Sequence, residues 1–333
     1  MPVRTGVIGV GLMGAEHARL LSEVVSGSEV TAVFDVATAR AEAVAADCGA
    51  RVFDDPMVLI KDDSIDAVLI ASADKTHEQF VLACLAAGKE VLCEKPLTPD
   101  AAGAVRIMAA ESELGRRLVT VGFMRRYDPG YLDLKAALSC GDLGPALLMR
   151  CVHRNASSVV VPSAVLISGS AVHEIDVARW LLGEEVVSVS VHLPRASTRA
   201  GGMQDPMLLV FATASGVLVD VEVFLNAGYG YDVRCEVVAE SGTMLLDSPA
   251  PTVRRASGST ARAVPGDWRD RFGEAYRSEL QDWVDAVAAG ERPRGASAWD
   301  GYAATVVAEA GIRALESGHA QDVVLCDQPA LYR

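Results

Sequence analysis

The first 122 residues alternate short apolar runs with helix-like segments. The runs are continuously apolar, which is typical of strands buried on both faces of a parallel sheet. They fall at residues 5–10, 30–35, 67–71, 90–93 and 118–121. Between them, Thr76 (in a capping box with Gln79) and Thr98 are predicted to cap helices. Alternating strands and helices indicate a doubly wound parallel sheet with right-handed crossovers.

The pattern changes after residue 122. A helix near residues 131–139 is followed by longer strand-like stretches with short connections. Two antiparallel hairpins are predicted, from 206–211 with 217–225 and from 231–238 with 243–246. Three further helices are predicted at 171–182, 271–289 and 298–317. We therefore predict an α/β chain with a Rossmann domain at 1–122. An α+β domain at 123–333 carries a large open, mainly antiparallel sheet.

Composition narrows the class of protein. A length of 333 residues suits about two domains, and a hydrophobic share of 50% excludes a disordered chain. The net charge of -14 disfavours nucleic-acid binding. Seven scattered cysteines without a C-x-x-C pair argue against disulfides and structural zinc, and predict a cytoplasmic protein. We find no signal peptide, no apolar run long enough to span a membrane and no H-E-x-x-H metal motif.

A glycine-rich turn follows the first predicted strand and opens the first helix. Its sequence is a G-x-G-x-x-G pattern made of Gly9, Val10, Gly11, Leu12, Met13 and Gly14. Here the first glycine permits a tight turn, the second admits a pyrophosphate, and the third lets the helix pack on the strand. A glycine turn without a nucleotide is the alternative.

Asp35 ends the second predicted strand, 21 residues after Gly14. A carboxylate at this place binds the ribose hydroxyls of adenosine. A 2′-phosphate would meet like charge, so we expect NAD, with NADP as the less favoured cofactor. Arg40 is expected to be a solvated helix residue.

Two further places carry candidate chemistry. Lys95, within Glu94-Lys95-Pro96, follows a predicted parallel strand at the sheet edge that borders the ligand crevice. It can bond a substrate oxygen, or it is simply a surface lysine. His173 and Asp176 lie three residues apart on one helix face. The histidine can accept a hydroxyl proton while hydride leaves the carbinol carbon, or it is a buried histidine satisfied by a carboxylate.

Together these segments resemble the glucose–fructose oxidoreductase/inositol dehydrogenase (Gfo/Idh/MocA) family, most closely its bacterial inositol 2-dehydrogenase branch. The resemblance covers nearly the whole chain. The segments that carry it are residues 9–14, 35, 94–96, 122–128, 153–155, 173–181 and 229–238. It implies an NAD-dependent enzyme that oxidises a hydroxyl of a cyclitol or sugar. It also implies a homotetramer made through the open face of the large sheet.

The resemblance also implies roles for individual residues. Lys95 and His173 would take part in proton transfer. The residues bordering the polyol would be Arg125, His153, Asn155, Asp176 and Tyr231, together with position 169. The residues lining the cofactor, besides the glycines of the turn, Leu12 and Asp35, would be Met13, Ser72, His77, Glu94 and Lys95.

One position departs from the family pattern. That pattern has an aspartate four residues before the histidine, completing a Lys–Asp–His set, and here the position is Gly169. Asp176 does not replace it, because the family pattern has an aspartate there as well. Losing one oriented catalytic partner commonly costs about two to four orders of magnitude in rate.

Three interpretations follow from Gly169. In the first, the substrate is modified where the aspartate would reach, as in an O-substituted cyclitol, an aminocyclitol or a glycoside, and Ser168, Ser170 or water fills the role. In the second, the chain is an ordinary inositol dehydrogenase that is slower than its relatives. In the third, it is a non-catalytic NAD-binding sensor or assembly protein. Intact Lys95, His173 and Asp176 argue against the third.

Overall fold

A computed structural model describes residues 1–247 and 252–333. The strands in these residues are β1 Val3–Ile8, β2 Ser28–Phe34, β3 Arg51–Val52, β4 Ala67–Ile70, β5 Glu90–Glu94, β6 Val119–Gly122, β7 Ala146–Arg154, β8 Val186–His192, β9 Met207–Thr213, β10 Leu218–Phe224, β11 Asp232–Ala239, β12 Gly242–Leu246, β13 Val253–Ala256, β14 Ser259–Arg262, β15 Ala296–Ser297 and β16 Gln321–Asp322. 

The α-helices in the same residues are α1 Leu12–Glu23, α2 Thr38–Cys48, α3 Pro56–Lys61, α4 His77–Ala86, α5 Ala101–Leu114, α6 Pro129–Cys140, α7 Ser163–Val165, α8 Val172–Leu182, α9 Trp268–Ala289 and α10 Ala298–Ser317. A π-helical segment, Leu166–Ala171, joins α7 to α8. Short 3-10 turns lie at Asp74–Thr76, Met124–Tyr127 and Ala330–Tyr332.

The described residues form two compact units. Unit 1 comprises residues 1–124, 274–305 and 325–333, and unit 2 comprises 125–273 and 306–324. The predicted single boundary after residue 122 differs from this division, because residues 274–305 and 325–333 belong to unit 1. They return to it because β15 pairs with β6, and because the hydroxyl of Tyr332 donates to buried Glu111 at 2.5 Å.

The sheet of unit 1 has the order β15-β6-β5-β4-β1-β2-β3. Six of its strands run parallel, and only the edge strand β15 is antiparallel. Central strands are apolar throughout because helices cover both faces; all four residues of β4 are fully buried. The predicted Rossmann sheet is confirmed. The sequence pattern missed its two edge strands, β3 and β15, each only two residues long.

Both predicted threonine caps are wrong. The hydroxyl of Thr76 donates to the carbonyl of Ala73 within the preceding 3-10 turn, and α4 begins without a side-chain cap. The hydroxyl of Thr98 donates to the carbonyl of Asp100. The true cap of α5 is Asp100, whose carboxylate accepts from the amide of Gly103 at 2.8 Å.

The large sheet of unit 2 has the order β12-β11-β7-β10-β9-β8-β16. Only β7 and β10 pair in parallel, and the remaining pairs are antiparallel. Both predicted hairpins are confirmed, as β9 with β10 and β11 with β12. Burial alternates along the strands, as it does along β9, because one face packs in the core and the other stays partly exposed.

Candidate functional site

The glycine turn of unit 1 has the shape of a nucleotide cradle. Gly9 has φ +86°, and a Cβ there would lie 2.5 Å from the backbone of Ser72. A Cβ on Gly14 would lie 1.8 Å from the carbonyl oxygen of Gly9, so only glycine allows α1 to pack this closely. At Gly11 a Cβ would meet only a guanidinium nitrogen of Arg40, 3.6 Å away. The first and third glycines therefore permit close packing, and the second leaves room for a ligand.

Asp35 stands beside this turn at the end of β2. Its carboxylate oxygens accept hydrogen bonds from the amides of Val10 (2.9 Å) and Ala37 (2.8 Å). A guanidinium nitrogen of Arg40 lies 3.6 Å from the carboxylate, and the Arg40 side chain is 57% exposed. Arg40 is thus solvated, as expected, but it also lies beside the carboxylate.

A cavity of about 540 Å³ opens at this edge of the sheet. The residues that line it include Gly9, Gly11, Asp35, Arg40, Ser72 and Thr76. Gly11 provides no side-chain cap, so the first amides of α1 can meet an anion. A glycine cradle, a helix N-terminus and a carboxylate at the end of β2 together fit the phosphate and ribose groups of NAD. Of the other predicted cofactor residues in the turn, Leu12 is exposed and Met13 half-buried.

The end of β5 holds Lys95 beside a buried contact between a histidine and a carboxylate. Nε2 of His17 lies 2.8 Å from a carboxylate oxygen of Glu94, and both side chains are buried. The other oxygen of Glu94 accepts from the amide of Lys95 at 3.2 Å. Burial raises the pKa of Glu94, but His17 and Lys95 outweigh that effect and the net pKa is lowered. An anionic carboxylate therefore lies directly behind Lys95.

His77 fixes the next turn. Its Nδ1 lies 2.8 Å from the carbonyl oxygen of Pro96, and its Nε2 lies 3.1 Å from that of Ser72. The ring is buried. This bridge ties the loop after β4 to the turn that carries Lys95.

Unit 2 contains a buried polar cluster between β7, β11 and α8. Arg125 forms an ion pair with Glu174, and both side chains are only 1% exposed. The second carboxylate oxygen of Glu174 lies 3.1 Å from Nδ1 of His153. The rings of Tyr231 and His173 lie 6.1 Å and 6.3 Å from that of His153, centroid to centroid. The structure thus brings four of the predicted substrate and catalytic residues together around Glu174.

Opposite charges set the ionisation of this cluster. Burial raises the pKa of Glu174, but the charge of Arg125 and the interactions with Arg125 and His153 dominate and bring the pKa down to about 2. Burial raises the pKa of Tyr231. The cluster therefore contains an ionised carboxylate, a guanidinium and a neutral phenol.

The remaining predicted substrate residues lie on α8 or directly beside β7 and α8. Asp176 is buried in a bidentate ion pair with Arg126, at 3.0 and 2.6 Å. Asn155 follows β7, and within the described chain its buried Oδ1 has no hydrogen-bond partner. Gly169 lies in the π-helical segment before α8, where a Cβ would meet only Cγ1 of Val165, at 3.3 Å. A Cβ at position 169 therefore requires only a small shift of the Val165 side chain.

Sequence reasoning missed three residues of these clusters: His17, Arg126 and Glu174. Each is an ordinary polar residue of a predicted helix or loop, and only burial against a charged partner distinguishes it. Acidic Glu174 directly after His173 was the one available signal.

Two general features of the described residues bear on function. Residues 1–247 and 252–333 contain no group of three or more His, Cys, Asp or Glu side chains placed to ligate a metal. In the same residues, no helix is both long and apolar enough to cross a bilayer.

Comparison with known proteins identifies the family. Residues 3–123 match the oxidoreductase family with an NAD-binding Rossmann fold, and residues 131–245 match the GFO/IDH/MocA C-terminal domain. The chain belongs to the Gfo/Idh/MocA family of NAD-dependent oxidoreductases.

Relatives within the family are similar over their full length. Inositol 2-dehydrogenase 1 of Saccharopolyspora erythraea is 54% identical over 336 residues, which cover 100% of this chain and 99% of that protein. Inositol 2-dehydrogenase of Streptomyces avermitilis is 49% identical over 329 residues, which cover 98% of this chain and 96% of that protein. Among solved structures, myo-inositol dehydrogenase from Lactobacillus casei, in complex with NAD(H) and myo-inositol, superposes with a TM-score of 0.96. It is 37% identical, and the match covers 100% of both chains.

Proposed function

We propose that the protein is an NAD-dependent dehydrogenase that oxidises a secondary hydroxyl of a cyclitol, either inositol or a modified inositol, or of a related sugar, to a ketone. The observation that carries this proposal is the identity of 54% with an inositol 2-dehydrogenase over the entire chain. The nucleotide cradle and the buried polar cluster support it independently. The non-catalytic sensor is not favoured, because the relatives are dehydrogenases and Lys95 and His173 are retained.

In this proposal the two units have different functions. Unit 1 holds the cofactor through the glycine turn, and Asp35 accepts hydrogen bonds from the adenosine ribose. Unit 2 supplies the polyol-binding side chains. NAD, when bound, accepts the hydride that leaves the carbinol carbon.

Two side chains of the protein then act on the proton and the oxygen of the reacting hydroxyl. His173 accepts the proton of the reacting hydroxyl, and the Lys95 ammonium donates a hydrogen bond to the same oxygen, which favours its alkoxide form. Arg125, His153, Asn155, Asp176 and Tyr231 bind the other hydroxyls of the ring. Asn155 supports this role because its buried carbonyl oxygen remains available to a donor.

Gly169 bears on the choice of substrate. The backbone here does not have the left-handed conformation that only glycine tolerates, and the nearest neighbour of a Cβ is a single methyl group. Space at this position supports a substrate carrying a substituent where an aspartate would otherwise reach. The other possibility is unsubstituted inositol oxidised at a reduced rate.

A substrate panel tests both the function and this choice. NADH formation is measured with myo-inositol, its isomers, O-methyl inositols, aminocyclitols and common sugars. The protein is compared with Gly169→Asp and with Gly169→Asn, a control of the same size without the charge. If the natural substrate carries a substituent near position 169, we expect both variants to lose activity on that substrate. Only Gly169→Asp is then expected to gain activity on myo-inositol. If the natural protein binds NAD but oxidises none of these compounds, the dehydrogenase proposal fails and the sensor becomes the better account.

We also propose a homotetramer formed through the outer face of the large sheet. Apolar side chains on that face support this assembly; they include Leu148, Val152, Val210, Leu218 and Phe224. Light scattering of the natural protein is expected to give four times the chain mass, and Val210→Asp is expected to give a smaller species. A monomeric natural protein would exclude the tetramer.

A cytoplasmic location is supported by seven free cysteines.

A further inference from the structure

Glu174 lies between two residues of the proposed substrate site. One carboxylate oxygen pairs with Nη1 of Arg125, and the other lies 3.1 Å from Nδ1 of His153. Nη2 of Arg125 also lies 3.2 Å from the same Nδ1. A single ring nitrogen therefore faces both an anionic acceptor and a cationic donor, and it can satisfy only one of them.

Counting partners decides which bond forms. The Glu174 oxygen that faces His153 has no other donor in the described part of the chain, and an ionised buried carboxylate oxygen without a donor is costly. Arg125 is less dependent on His153, because it also bonds Glu174 and the phenol of Tyr231. The favoured arrangement places the proton on Nδ1 of His153, donated to Glu174.

The tautomer fixes what the other ring nitrogen can do. Within residues 1–247 and 252–333 Nε2 of His153 has no hydrogen-bond partner, and it is not sealed from solvent. With the proton on Nδ1, Nε2 carries a lone pair and can only accept. A polyol hydroxyl is a donor of the matching kind.

We propose that Glu174 is a positioning residue that holds the proton on Nδ1 of His153 and thereby makes Nε2 a hydrogen-bond acceptor for a substrate hydroxyl. The role of the hydroxyl rests on the proposed function, whereas the tautomer does not. Glu174 itself does not touch the substrate. It acts through His153 in the way that a buried carboxylate orients a catalytic imidazole.

The conservative variant Glu174→Gln reverses this arrangement without changing size. The amide oxygen can accept from Arg125, and the amide nitrogen then donates to Nδ1 of His153. The ring must carry its proton on Nε2 instead. The nitrogen that faced the substrate as an acceptor becomes a donor.

The first test measures the tautomer directly and needs no substrate. Long-range ¹⁵N–¹H spectra of the ¹⁵N-histidine-labelled protein are recorded at alkaline pH, and His153→Asn assigns the signals of His153. We expect a protonated Nδ1 and a bare Nε2 in the natural protein, and the reverse in Glu174→Gln. A proton on Nε2 in the natural protein overturns the inference, even if Glu174→Gln does not fold.

The second test asks whether Glu174 acts through His153. His153→Asn keeps a donor toward Glu174 but removes Nε2. We expect each single variant to raise KM for the cyclitol about 10-fold with little change in kcat, the loss of one hydrogen bond made equally before and during the reaction. The double variant should show no more than the larger single effect. Additive effects, or a fall in kcat with KM unchanged, would overturn the inference.

The two tests separate the two proposals. If the natural protein oxidises no cyclitol but His153 carries its proton on Nδ1, the proposed function fails and the arrangement by Glu174 stands. If the enzyme is active and the tautomer is the opposite one, only the role of Glu174 fails.

Discussion

Replacing Asp35 by serine is expected to shift cofactor preference from NAD toward NADP. The carboxylate of Asp35 lies at the edge of the nucleotide cavity and is held by two backbone amides, at 2.9 and 2.8 Å. It is therefore fixed at the position proposed to bind the adenosine ribose. Serine removes the negative charge, and Arg40, 3.6 Å from the carboxylate, becomes available to a 2′-phosphate.

The magnitude follows from the lost interactions. A hydrogen bond to a charged group contributes about 1.5–3 kcal/mol, so losing one weakens NAD binding by roughly 10- to 150-fold. For NADP the same substitution raises the affinity, because it removes the repulsion between the carboxylate and the 2′-phosphate. At about 4 Å and an effective dielectric constant of about 20, that repulsion reaches roughly 4 kcal/mol as an upper limit. The ratio of NADP to NAD affinity is therefore expected to rise at least about 10-fold.

Fluorescence titration with NADH and NADPH measures that ratio without a substrate. Asp35→Asn is the matched control, since it keeps the shape and one acceptor oxygen but removes the charge; it should give an intermediate ratio. Adding Arg40→Ala to Asp35→Ser should cancel most of the gain in NADPH affinity. An unchanged ratio in Asp35→Ser would refute the assignment of the ribose site.

Three further predictions concern other parts of the chain. Lys95→Ala is expected to abolish turnover while leaving the affinity for NAD, measured by titration, nearly intact; surviving turnover would remove Lys95 from the reaction. Asp128→Ala leaves the buried guanidinium of Arg271 without its ion pair at 2.6 Å, so the free energy of unfolding in urea should fall by about 3–5 kcal/mol. The exposed pair broken by Arg277→Ala should cost less than about 1 kcal/mol, and equal losses would contradict the argument. Burial raises the pKa of Glu90 to about 7, because the folded protein favours the protonated carboxyl. The contribution of this group to stability is therefore complete below the ordinary glutamate pKa and is lost as pH rises through 7. Glu90→Gln should therefore raise the unfolding temperature relative to the natural protein at about pH 8 and not at about pH 4, and a stabilisation that is equal at both pH values would contradict this cause.

The sequence predicts the parallel strands and both hairpins well, because apolar runs and alternation are local signals. It predicts the glycine turn and Asp35 for the same reason: their spacing reflects one βαβ unit. Helix starts are less predictable, since Thr98 and Asp100 are both good caps and only the observed hydrogen bonds choose between them.

Features that depend on contacts distant in sequence are not predictable in this way. The two-residue strand β15 has no pattern of its own and exists because it pairs with β6. Glu174 and His17 belong to the clusters only because folding buries them against Arg125 and Glu94. Periodicity indicates that these positions face inward, but it does not identify their partners.

The most direct test of the proposed function is NADH formation from NAD and a cyclitol by the purified protein, with Lys95→Ala as the control. We expect at least one inositol or modified inositol to be oxidised with NAD, more efficiently than with NADP. The Lys95 variant should bind NAD without turnover. Binding of NAD with no oxidation of any cyclitol or sugar by the natural protein would contradict the proposed function.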